Sequence, residues 1–153
     1  MRACCRLFVI GHDKPGRFAQ LARRLGVAEQ VLFLGGRSDV PDFLLAADLL
    51  LHPSYHENTG TAILEALVAG LPVLTLDVCG YAHYVTTARA GMVLESPFKQ
   101  ANFNQLLEKM LSSTTSKQWQ QNALAFAKTA DLYSLPDKAA DLIEVIGSKR
   151  AIS

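Results

Sequence analysis

His52-Pro53-Ser54-Tyr55-His56-Glu57-Asn58-Thr59-Gly60-Thr61-Ala62-Ile63-Leu64-Glu65 carries the chain from an apolar run ending at His52 into an apolar helical pattern. The order is strand, loop, helix. The helical pattern, Gly60 to Ala69, stops at Ala69-Gly70-Leu71-Pro72, where a glycine suited to the C′ position stands just ahead of a proline. A second short apolar run, Val73 to Leu76, follows at once. Strand, helix and strand in such close succession make a βαβ unit, the building block of a parallel sheet.

The same alternation extends in both directions. Strand patterns occupy Arg6 to Ile10, Val31 to Leu34, Leu49 to His52, Val73 to Leu76 and Gly91 to Val93, each closed by a loop with Gly, Pro or Asp. Helical patterns occupy Gly16 to Leu25, Val40 to Ala47, Gly60 to Ala69, Gly80 to Ala88, Phe103 to Ser112 and Ser116 to Ala130, with a last helix expected after Pro136. The fold class is therefore α/β: a Rossmann-like parallel sheet of five strands flanked by helices, with extra helices at the C-terminal end. Ser112 to Ser116 reads as a linker between the late helices, one of which carries Trp119.

Size and composition agree with one globular domain over 1–153: half of the 153 residues are apolar and 19% are charged. A formal net charge of +1 supplies no field to gather nucleic acid. Cys4, Cys5 and Cys79 offer no C-x-x-C spacing, and a reducing cytoplasm suits them. No apolar stretch is long enough to span a bilayer. The N-terminus has no cleavable signal pattern and enters a strand directly, which is expected if upstream sequence was removed or if an authentic start was placed internally.

In open parallel sheets, ligands bind outside the carboxyl ends of the strands, which is where the loop after His52 should lie. A helix opening near Gly60 turns its first amides and its positive dipole end outward, a favourable setting for phosphate. Glu57 precedes that helix and Glu65 lies within it, eight residues later. A plainer reading remains open: Asn58 or Thr59 caps the helix, Glu57 complements its dipole, and Glu65 is solvated.

Other motifs fall short. Gly11-x4-Gly16 begins like a P-loop, but Arg17 and Phe18 stand where Lys and Ser or Thr are required. No G-x-G-x-x-G follows a strand, so a dinucleotide cofactor has no support. His52 and His56 are four apart but not on one helix, and no metal is expected. Lys14 and Arg17 could reach a phosphate, although solvent exposure is the simpler reading.

Glu57-x7-Glu65, followed by Ala66, Gly70, Leu71 and Pro72, resembles the Glu-x7-Glu signature of glycosyltransferase family 4. Val31 to Val40 looks like the strand and loop that face the nucleotide base in that family. Gly11-His12-Asp13-Lys14-Pro15, Cys79-Gly80-Tyr81-Ala82-His83-Tyr84 and Asp131-Leu132-Tyr133-Ser134-Leu135-Pro136 are similar to segments of the bacterial lipopolysaccharide core glucosyltransferases. The likeness spans about Leu7 to Ile146.

The resemblance implies the C-terminal, donor-binding half of a GT-B fold, belonging to a retaining hexosyltransferase that uses a UDP-sugar without a divalent metal or other cofactor. On matching positions, Glu57, Asn58, Thr59, Gly60 and Thr61 would meet the donor sugar and diphosphate, Glu65 the ribose hydroxyls, and Gly36 and Arg37 the base. Lys14 and His83 would be phosphate or pocket residues. The acceptor, an inner-core heptose of lipopolysaccharide, would bind an N-terminal domain outside this chain, so this half alone would not turn over. The implied location is the cytoplasm, with weak peripheral contact of the whole enzyme at the inner face of the inner membrane. A stand-alone nucleotide-binding module of the same fold is the alternative.

Overall fold

The computed structural model describes residues 5–12, 14–57, 60–132 and 134. The helix expected after Pro136 lies outside them. The chain divides into two compact units, Met1–Phe43 and Leu44–Ser153. In the first, β1 (Leu7–Ile10) and β2 (Val31–Gly35) pair in parallel across α1 (Gly16–Arg24), with Leu7 opposite Val31 and a register shift after Val9. Arg23 and Arg24 close α1, where basic groups complement the negative end of the helix dipole. Ala22 is the one buried hydrophobic residue described in this unit. A short helix, α2 (Val40–Ala46), contains the boundary between the units.

The second unit holds a parallel sheet in the order β3 (Leu50–His52), β4 (Val73–Leu76), β5 (Gly91–Leu94). Its helices are α3 (Thr61–Val68), α4 (Ala82–Ala88), α5 (Gln100–Ser112) and α6 (Ser116–Thr129). The alternation of a strand assigns its side chains to two faces. On one face Val73 joins Ile63, Ala66 and Leu67 of α3, Val85 of α4 and Ala123 of α6. On the other, Leu74, Leu76 and Leu94 pack with Phe103 and Met110 of α5, and Trp119 lies against them. All four residues of β4 are buried, because neighbours cover both its edges and both its faces.

The expectation of one five-stranded ladder is refined: among the described residues, hydrogen bonding joins two strands in one sheet and three in the other. Apolar periodicity identifies strands, whereas pairing is made by backbone groups that every residue shares. Helix starts also move. α5 begins at Gln100 because Phe103 N–H already donates to Lys99 O (3.1 Å), so its first turn is polar and carries no apolar signal. α4 begins at Ala82, after a turn closed by Ala82 N–H to Cys79 O (3.0 Å).

The end of α3 follows its sequence. Gly70 adopts a left-handed conformation (φ 73°), its N–H donates to Leu67 O (3.1 Å), and Leu71 N–H donates to Ala66 O (2.8 Å). That pair of bonds is a Schellman motif, and it turns the chain into β4.

Candidate functional site

Three loops leave the carboxyl ends of β3, β4 and β5, and the first of them carries the Glu57 segment. His52 is the last residue of β3 and lies opposite Thr75 in the ladder. Two-residue periodicity puts its side chain on the face shared with Leu50, which is the α3 face. Its carbonyl accepts a hydrogen bond from Thr75 Oγ1 (3.0 Å), which satisfies the hydroxyl of a fully buried threonine. Its ring Nε2 stands 3.7 Å from Glu57 Oε2 and is buried with no hydrogen-bond partner.

Gly60 completes the convergence. It is buried, it occupies the N-cap of α3 with φ 77°, and it makes no side-chain cap. Asn58 and Thr59, the capping residues expected from the sequence, lie outside the described residues. A Cβ at position 60 would lie 3.4 Å from His52 Nε2 and 3.5 Å from Glu57 Cγ, in a backbone conformation that L side chains rarely adopt. Glycine keeps the helix mouth open. The first turn of α3 contains no acidic residue, so Glu57, just ahead of it, is the nearest described carboxylate in sequence to its positive end.

Burial of Ile63, Leu64, Ala66 and Leu67 sets the rotation of α3. Thr61 and Glu65, one helical turn apart, are left exposed on a common stripe that begins at the mouth. Glu57 and Glu65 thus bracket the opening of one helix, one before it and one along its outer surface.

The other two loops are tied together. Asp77 accepts hydrogen bonds from Ser96 Oγ (2.6 Å) and Ser96 N–H (2.8 Å), and these bonds hold its carboxyl below the ordinary aspartate value. Tyr55, in the β3 loop, meets Phe98 edge-on at 4.8 Å, and a small cavity of about 70 Å³ lies between these rings and Asp77. His83 binds Gly80 O through Nδ1 (2.8 Å) and its ring lies 4.0 Å from that of Tyr84. It lines an open groove of about 580 Å³ with Arg89 and Trp119, whose described lining includes neither Glu57 nor Glu65.

In the first unit, a Cβ on Gly36 would fall 2.2 Å from the His12 ring, so glycine permits a close approach there. Arg37 grips Asp39 with two bonds of 2.6 Å and lies over the Phe43 ring at 5.0 Å. The paired side-chain bonds raise the Arg37 pKa and lower that of Asp39, both groups being exposed. Lys14 is exposed, and Arg17 rests over Phe18 at 4.7 Å.

Sequence reasoning named Glu57, Gly60, Thr61 and Glu65, and the structure gathers them at α3. The sequence presents His52 only as a metal-ligand candidate, and it does not pair Asp77 with Ser96. The signal for His52 was its even spacing from Leu50. For the Asp77 pair, 19 residues apart, the sequence carried no local signal. Among the described residues, no three His, Cys, Asp or Glu side chains are grouped to hold a metal ion, and no helix is long and apolar enough to cross a membrane.

Comparison with known proteins fits this geometry. Residues 2–126 match the model of the family described as glycosyl transferases group 1. Over 138 residues the chain is 53% identical to the lipopolysaccharide glucosyltransferase WaaG of Escherichia coli K12, an alignment covering 90% of this chain and 37% of that protein. The crystal structure of WaaG, a glycosyltransferase involved in lipopolysaccharide biosynthesis, superposes with a TM-score of 0.85 at 52% identity, over 90% of this chain and 38% of that one. The Anabaena protein HepE, solved with UDP-glucose, shares the fold at 24% identity, with a TM-score of 0.74 over 92% of this chain and 41% of that one. The chain thus spans well under half the length of these relatives. With the family model covering most of its residues and the Glu57 and Glu65 segment folded at a helix mouth beyond a parallel strand, the chain belongs to the group 1 glycosyltransferases.

Proposed function

We propose that this chain is the donor-binding half of a retaining hexosyltransferase that moves a hexose, glucose by the WaaG likeness, from a UDP-sugar to an inner-core heptose of lipopolysaccharide. The observation that carries this reading is the α3 mouth, where Glu57 stands ahead of an open glycine N-cap and Glu65 lines the exposed stripe behind it. Glu57 holds hydroxyls of the hexose, together with Asn58 and Thr59, and Glu65 takes both ribose hydroxyls on one carboxylate. Amides around Gly60 and Thr61 face the diphosphate. When the nucleoside diphosphate leaves, negative charge grows on its phosphate oxygens. Amides and a helix dipole already in place stabilise that charge without a divalent metal. The family likeness, and not the geometry, assigns Gly36 and Arg37 to the base and Lys14 and His83 as phosphate or pocket residues.

The acceptor and its catalytic groups belong to a preceding domain of the same enzyme, so this half binds donor without turnover. The whole enzyme works in the cytoplasm, in weak peripheral contact with the inner membrane. Titration of this chain with UDP, followed by ligand-observed NMR, is the test. Binding is expected between about millimolar and high-micromolar, and Glu65→Ala should weaken it about tenfold through loss of charged hydrogen bonds. Equal UDP affinity in the variant would remove the ribose assignment.

A further inference from the structure

We infer that His52 is a positioning residue for Glu57: its Nε2–H is the donor that aims the Glu57 carboxylate at the hexose. The inference rests on the donor-site reading above and adds a residue to it. Three observations carry it. His52 closes β3, so a strand anchored by Thr75 fixes where its ring stands. Nε2 is buried and without a partner, although buried polar atoms are almost always satisfied. The gap between Nε2 and the Glu57 side chain is the space that a side chain at position 60 would enter, and position 60 is glycine.

The separation of 3.7 Å exceeds a hydrogen bond, and a small rotation of Glu57 closes it. Imidazolium and the Nε2–H tautomer both carry a proton at that atom. With one carboxylate oxygen accepting from Nε2, the other is left to accept from a sugar hydroxyl. The hexose and the orphan nitrogen are satisfied by opposite sides of one group.

A glutamine amide reaches roughly as far as Nε2, whereas leucine fills the volume without a donor and asparagine is too short. The experiment compares UDP and UDP-glucose binding by this chain in His52→Gln, His52→Leu, His52→Asn and Glu57→Gln, with melting temperatures recorded alongside. His52→Leu and His52→Asn should weaken UDP-glucose about tenfold while UDP stays within about twofold, and His52→Gln should recover most of the loss. His52→Leu combined with Glu57→Gln should bind UDP-glucose no more weakly than Glu57→Gln alone, since the two residues act as a unit. Parallel losses for UDP and UDP-glucose, or additive effects in the double variant, would overturn the inference. If Glu57→Gln weakens UDP-glucose and no His52 variant does, the inference falls and the donor site stands. If the unaltered chain binds neither ligand, both fall.

Discussion

The two compact units start from similar sequence and end with different cores. β1 and β4 are each four residues long and almost wholly apolar, yet β1 exposes Leu7, Phe8 and Val9 by 39–46%, and β4 is buried throughout. The difference lies in what surrounds them. β4 has a strand on each side, α3 and α4 on one face and α5 on the other, whereas the first unit offers β1 one paired strand and one helix. Phe18, Leu21 and Leu25 of the α1 segment are likewise 41–66% exposed. An apolar run states that a segment can be buried; neighbours determine whether it is. The glutamates at α3 stand on the well-packed unit, and Gly36, Arg37 and Lys14 on the lightly packed one.

The largest break in that contrast should come from Gly91→Ala. Its Cβ would fall 1.9 Å from Val73 O, against backbone that cannot rotate away, so β4 and β5 would have to part. A loss of about 4 kcal/mol or more is expected, read as insoluble expression or collapse of the urea transition. A paired truncation sharpens the comparison. Leu74→Ala, in a fully buried position, should cost about 3 kcal/mol by urea denaturation, and Phe8→Ala about 1 kcal/mol or less, since nearly half of that side chain is already in water. Equal costs would mean that exposure in β1 does not measure its contribution.

Asp77→Asn should give the smallest effect, and its sign follows from the titration. The hydrogen bonds from Ser96 lower the folded-state pKa of Asp77, so their contribution is complete above the ordinary aspartate value of about 3.9 and is lost as pH falls through the folded value. The melting-temperature gap between wild type and variant should therefore be present near neutral pH and close below about pH 4. A gap that persisted in acid would assign the effect to packing of the loop and not to the carboxylate.

Much of the candidate site is legible in the sequence because it is local. Glu57, Gly60, Thr61 and Glu65 fall within nine residues, and helix geometry alone places the last two on one stripe. His52 was half legible: two-residue periodicity assigns its face, but only the path of the loop brings Glu57 and Gly60 back to its ring. The Asp77 and Ser96 bond joins residues on successive strand exits and had no sequence pattern to announce it. The groove along α4, which draws His83 toward Trp119, depends on α6 packing against the sheet.

By itself, then, the sequence determined the alternation of strands and helices, the glycine stop of α3 and the acidic pair at its mouth, because each is written in residues within a few turns of one another. Only the tertiary structure decided which strands share a ladder, which apolar runs leave water, and that a histidine at a strand end faces a glutamate across a glycine. Those outcomes depend on backbone pairing and on contacts between distant segments, for which no spacing along the chain supplies a code.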